Sequence, residues 1–210
     1  MRNACLVLTI LGLASGAPTA SVTAEAPPVA DDVIGQIDAG KSYYAEGDLS
    51  RALTELEFAL NTVRAEFSRQ FMATLPEPPV LWSADEPALE SSAALFGTGL
   101  MVTRRYEEEK GQGRITAELM VDSPMVQAFS AVFSIPVMIA NDPSMERIRV
   151  GESNAILKWD ADRRAGDLSL ALGGRVLVKL SAQDVDDKTV LIDLMTSWDL
   201  DAVRKVAGIR

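Results

Sequence analysis

Between Arg147 and Leu180 apolar and polar residues alternate in short runs divided by turn signals, and that two-residue period constrains the fold more than any other stretch. Met145–Val150 and Ala155–Asp160 read as two strands, with Asp162–Asp167 as the turn after them. Leu168, Leu170 and Leu172 then point one way in a third strand. Gly173-Gly174 suits a two-residue hairpin turn, because glycine reaches positive φ without steric cost. Val176, Val178 and Leu180 form the inner side of a fourth. The core expected from this stretch is Ile156, Leu168, Leu170, Val176 and Val178. Short turns between successive strands imply antiparallel pairing.

Upstream, Leu100–Glu107 and Arg114–Val121 flank the polar segment Glu108–Gly113 and read as another hairpin. Ser123-Pro124 is a helix start, Met125–Phe133 an apolar helix, and Pro136 with Asn141-Asp142-Pro143 its end. A helix over Asp184–Trp198 and a short one over Asp199–Val206 close the chain. The order β-β-α-β-β-β-β-α predicts an α+β domain over residues 88–210, an antiparallel sheet covered by helices.

The first 24 residues read as a leader. Arg2 supplies a positive charge, Ala4–Ala14 an apolar run too short to span a bilayer, and small residues follow. Cleavage after Ala24 or after Ala20 fits. Export is implied, most simply to a bacterial periplasm, with no stable membrane insertion after cleavage.

Residues 25–74 carry helical periodicity. Val33, Ile37, Gly40 and Tyr44 mark a first helix. Asp48 or Ser50 caps a second, with Leu53, Leu56, Leu60, Val63 and Phe67 at helical spacing. Pro76, Pro78 and Pro79 stop it, and residues 75–87 form a stiff proline-rich junction in which Trp82 pins the chain to the next domain. Gly40, Tyr43, Gly47, Ala52, Leu56 and Ala59 stand at the offsets of a tetratricopeptide repeat, so the segment resembles one such repeat. Gln36 replaces its early tryptophan and Arg64 its closing proline. One repeat cannot form a solenoid. The hairpin therefore packs on its own neighbouring domain or offers a docking surface, and joint exposure of Tyr43, Tyr44 and Phe58 would favour docking. These three and Trp82 are the candidate partner-binding residues.

The element order of the second domain is similar to the PsbP/Mog1 type. The whole chain resembles a group of uncharacterised exported proteobacterial proteins with a repeat-like hairpin and a terminal α+β domain, carried by Tyr43–Ala59, Leu75–Trp82 and Ala155–Gly166. That resemblance implies no activity.

Composition removes several chemistries. The chain has no histidine, and its one cysteine, Cys5, lies in the leader. A Ser-His-Asp triad, a Cys-His nucleophile, the common zinc and haem ligand sets and a disulfide are thereby excluded. A net charge of -10 opposes nucleic acid as a partner. No cofactor, metal or catalytic residue is assigned. The acidic turn with Asp160, Asp162 and Asp167 reads as salt-bridged by Arg163 and Arg164, the run Glu107–Glu109 as a solvated edge, and the methionines as core filling. Arg104, Arg105 and Arg114 could meet as an anion site, although cross-strand pairing with glutamates is the favoured reading. The function expected is non-enzymatic binding of another protein or an envelope component. The alternatives are a small-ligand or lipid carrier with a cavity between sheet and helix, and a carboxylate-based hydrolase.

Overall fold

The computed structural model describes residues 30–90, 99–133 and 144–209. The leader, Pro136 and Asn141-Asp142-Pro143 lie outside the described residues.

Two helices come first: α1 (Ala30–Glu46) and α2 (Leu49–Met72). The turn between them needs Gly47, whose φ is 82°. Asp48 is the cap of α2, its carboxylate accepting from the Arg51 amide at 3.1 Å. Gly40 sets how closely the helices approach, because a Cβ there would stand 2.9 Å from Leu56 Cγ.

Past α2 the chain turns at Leu81 (φ 69°) into β1 (Trp82–Ala84) and β2 (Ala88–Leu89). Both pair with β3 (Leu100–Glu108), so the proline-rich junction leads directly into an edge of the sheet. β4 (Arg114–Val121) follows, then α3 (Pro124–Phe133), β5 (Met145–Val150), β6 (Ser153–Asp160), β7 (Ala165–Leu172), β8 (Val176–Gln183), α4 (Thr189–Ser197) and α5 (Leu200–Val206). All pairings are antiparallel, in the order β1-β3-β4-β8-β7-β6-β5, with β2 beside β1 on β3. The α3 connection carries the chain from the middle of the sheet to its far edge, and β5 to β8 return as a meander. The protein is α+β: a helical pair, then an antiparallel sheet flanked by helices.

Register assigns the faces. Val102, Leu119, Val178, Leu170 and Ala155 are cross-strand neighbours in one row, all buried. This face packs against Phe71 of α2, Leu191, Leu194 and Met195 of α4, Trp198, and Val203 of α5. The opposite face is mixed. Met120 and Leu177 meet Val126 of α3, whereas Lys179 lies between Glu118 at 3.7 Å and Asp167 at 3.1 Å.

Two expectations change. Ile156 is half-buried on the mixed face, and its neighbours Ala155 and Leu157 take the core positions. The run Ala155-Ile156-Leu157 is apolar throughout, so composition leaves its phase open, and pairing of Ala155 with Leu170 decides it. The helix expected from Asp184 begins at Thr189, because Asp184 adopts φ 56° and the Val185 amide donates to the Arg164 carbonyl at 2.9 Å.

Candidate functional site

α1 packs along α2, and α2 enters the sheet core only at its end, through Phe67, Phe71 and Met72. Phe67 stands edge-on to Phe71 with ring centroids 4.8 Å apart. The rest of the hairpin extends beyond the sheet's helix-covered core.

Two adjacent stripes run along each helix. The less exposed one is Val33, Gln36, Gly40 and Tyr43 on α1, and Ala52, Glu55, Ala59 and Thr62 on α2. These positions face the partner helix. One residue further along each helix lies a second, apolar stripe that is open: Ile34, Ile37 and Tyr44 on α1, and Leu53, Leu56, Leu60 and Val63 on α2. Their exposures run from 43% for Leu56 to 69% for Tyr44. One step along an α-helix is a turn of about 100°. Because α1 and α2 are antiparallel, that step turns both stripes to the same side of the hairpin. Phe58, one step before Ala59, is turned to the opposite side and is 56% exposed.

At 24 residues α2 outruns α1, which has 17. Where α1 gives out, the trough on α2 continues as a groove of about 780 Å³ lined by Val33, Ile34, Phe58, Thr62, Phe67 and Gln70, among others. Such a volume is in the range of small-ligand and peptide sites. Nearby, Gln36 Oε1 is buried with no hydrogen-bond partner among the described residues.

The four aromatic candidates do not converge. Tyr44 lies on the open apolar side and Phe58 on the other. Tyr43 is half-buried between the helices, with the Arg51 guanidinium 5.6 Å from its ring centroid. Trp82, 9% exposed, belongs to the sheet core and contributes nothing to the hairpin surface. Leu53 and Leu60, by contrast, read from spacing as packing residues, yet they are open. The clue available in the sequence is that Ala52 and Ala59, one step earlier, are the small residues that two close helices require.

The other clusters are spent locally. Arg104 lies on the core side of β3, donating to the carbonyls of Pro76 and Asp85, each at 2.9 Å. Arg105, next along the strand, points to the other face, and Arg114 pairs across from Glu107 and sits 3.6 Å from Asp184. The three arginines thus form no common site, since adjacent residues on a strand diverge. Asp160 accepts from the amides of Asp162 and Arg163, both at 3.1 Å, while Asp167 accepts from Ser181 at 2.7 Å. Among the described residues no group of three or more carboxylates or thiols is arranged to hold a metal. Between α3 and the sheet, Met101, Met120 and Met125 pack with Val126, Phe129 and Leu177. No described helix is long and apolar enough to cross a membrane.

Set beside family models, curated proteins and solved structures, the chain matches none of them.

Proposed function

We propose that this is an exported, non-enzymatic interaction protein in which the sheet domain is the scaffold and the hairpin engages another protein or an envelope component. The observation that carries this reading is apolar exposure on both sides of one hairpin: Ile34, Tyr44 and Leu53 on one side and Phe58 on the other, with Ile34 and Phe58 both lining the groove. A lone amphipathic helix pair buries its apolar faces when it can. Contiguous exposed apolar area of this size marks binding surfaces on folded proteins. The absence of histidine and the leader-like amino terminus support the non-enzymatic and exported parts of the reading.

Site-specific photocrosslinking in cells tests it. A benzophenone side chain at Phe58 or Tyr44 is expected to give an adduct with another envelope molecule, and one at the exposed Asp193 of α4 is not. Equal labelling at all three positions, or none at either hairpin position, overturns the reading.

A further inference from the structure

We infer that the open apolar side of the hairpin is covered by a second copy of this chain, the two hairpins packing face to face as an antiparallel four-helix bundle. This rests on the reading that the hairpin is an interaction surface, and it names the first occupant of one side.

The spacing on α2 supports it. Leu49, Leu53, Leu56, Leu60, Val63 and Phe67 follow steps of four, three, four, three and four. That is the seam of a coiled coil, in which apolar residues repeat every 3.5 positions. α1 packs one step away, over Ala52 and Ala59, and leaves Leu49, Leu53, Leu60 and Val63 of the seam exposed, while Phe67 at its end packs against the sheet core. The seam is rotated from the intramolecular interface, so a further helix can lie against it without disturbing the hairpin.

Area supports it too. Ile34, Ile37, Tyr44, Leu53, Leu56, Leu60 and Val63 are each 43–69% exposed on one side, a contiguous apolar patch of the kind that the ~800 Å² per partner of a stable interface covers. Lys41 is the one charged residue within the α1 stripe between Ile37 and Tyr44. A two-fold interface sets the same patch against itself, so this low charge avoids like-charge contact at its centre.

The rim supplies complementarity. Glu57 and Arg64 border the seam, each one residue beyond a seam position, and neither makes an ion pair among the described residues. An antiparallel two-fold axis crossing α2 near Leu60 places the midpoint of Leu53 and Phe67 on the axis. It also brings Glu57 of each copy opposite Arg64 of the other. In antiparallel coiled coils such flanking pairs select orientation. The pattern is complementary to its own reverse.

Sedimentation velocity on the protein as purified from cells tests this. The expected result is a species of twice the mass of the single purified chain across about 1–100 µM. Leu60→Glu should give monomers with unchanged far-ultraviolet circular dichroism. Glu57→Arg alone and Arg64→Glu alone should each weaken the dimer about tenfold, and the two together should restore it. A monomer at about 100 µM, or a dimer indifferent to all of these substitutions, overturns the inference. A monomer that still crosslinks another envelope molecule from Phe58 removes the dimer and leaves the proposed function standing. A dimer obeying the charge swap with no such adduct does the reverse.

Discussion

Tyr106 donates its phenolic hydrogen to the Pro76 carbonyl at 2.7 Å, and this bond ties the exit of the hairpin to the third strand of the sheet. Arg104 donates to the same carbonyl at 2.9 Å, with its guanidinium 5.6 Å from the Tyr106 ring centroid. The tyrosine is fully buried. Burial pushes its pKa up to about 12, against the partial opposition of Arg104. The junction is thus held by two side chains of one strand, and the direction in which the hairpin leaves the sheet depends on them.

Tyr106→Phe should cost about 1 kcal/mol, since the Pro76 carbonyl keeps its bond from Arg104 while one net hydrogen bond is lost. The pH dependence has a definite sign. The unfolded tyrosine ionises near 10, the folded one near 12, so the folded state holds the proton longer. The contribution is complete below about pH 10 and declines above it. Spectrophotometric titration should show a late phenolic step that vanishes in Tyr106→Phe, and urea unfolding at pH 8 and above pH 10 should show the loss.

Gly166→Ala should destabilise the protein by about 2–3 kcal/mol. A Cβ there would lie 2.4 Å from the Lys158 carbonyl oxygen and 2.6 Å from the Trp159 ring, opposite which Gly166 is paired. Backbone cannot move aside as a side-chain tip does. Thermal unfolding followed by circular dichroism reads the effect.

Phe71→Ala and Leu60→Ala should separate folding from binding. Phe71 is fully buried where α2 enters the core, so its truncation should cost about 3–5 kcal/mol. Leu60 is 46% exposed, and its truncation should change stability of the isolated chain by less than about 1 kcal/mol. Denaturant unfolding at low protein concentration, below the range of association, distinguishes the two.

Asp48→Ala should cost about 1 kcal/mol by removing the cap of α2. The loss should appear in hydrogen exchange of the first turn of α2, with the sheet amides unaffected.

Acid should act at Asp122. Arg175 grips this carboxylate with two bonds, at 2.9 and 2.6 Å, and holds its pKa below the usual aspartate value. A lowered folded pKa stabilises above the unfolded value and loses that contribution as pH falls through the folded one. Asp122→Asn should therefore lower stability at neutral pH and make no difference once the native carboxyl is protonated. Unfolding midpoints of both proteins followed from pH 7 down through the acid range, until the two curves meet, check this.

Much of the sheet was legible because its signals are local. Leu168, Leu170, Val176 and Val178 alternate cleanly and are buried as expected, and Gly173-Gly174 turns with φ values of 54° and 67°. Ile156 was ambiguous because three consecutive apolar residues carry no phase. The short strand at Trp82 has no signature in the sequence, since three residues after a proline run show no periodicity. In the hairpin, spacing identified two helices, but two apolar stripes one residue apart exceed what one partner can cover, and periodicity does not say which is buried.

The sequence by itself determined the order of the helices and the longer strands, a cap at Asp48 or Ser50, the break at the prolines and the want of imidazole chemistry. Each of these depends on a residue and its near neighbours. The tertiary structure alone decided that α1 takes the Ala52 and Ala59 side of α2 and leaves Leu53 and Leu60 open, that Arg104 and Arg105 part to opposite faces, and that Trp82 is core. Those outcomes follow from close packing between elements distant in sequence, where a small residue such as Gly40 or Ala59 admits a neighbour and a leucine one step away is turned outward.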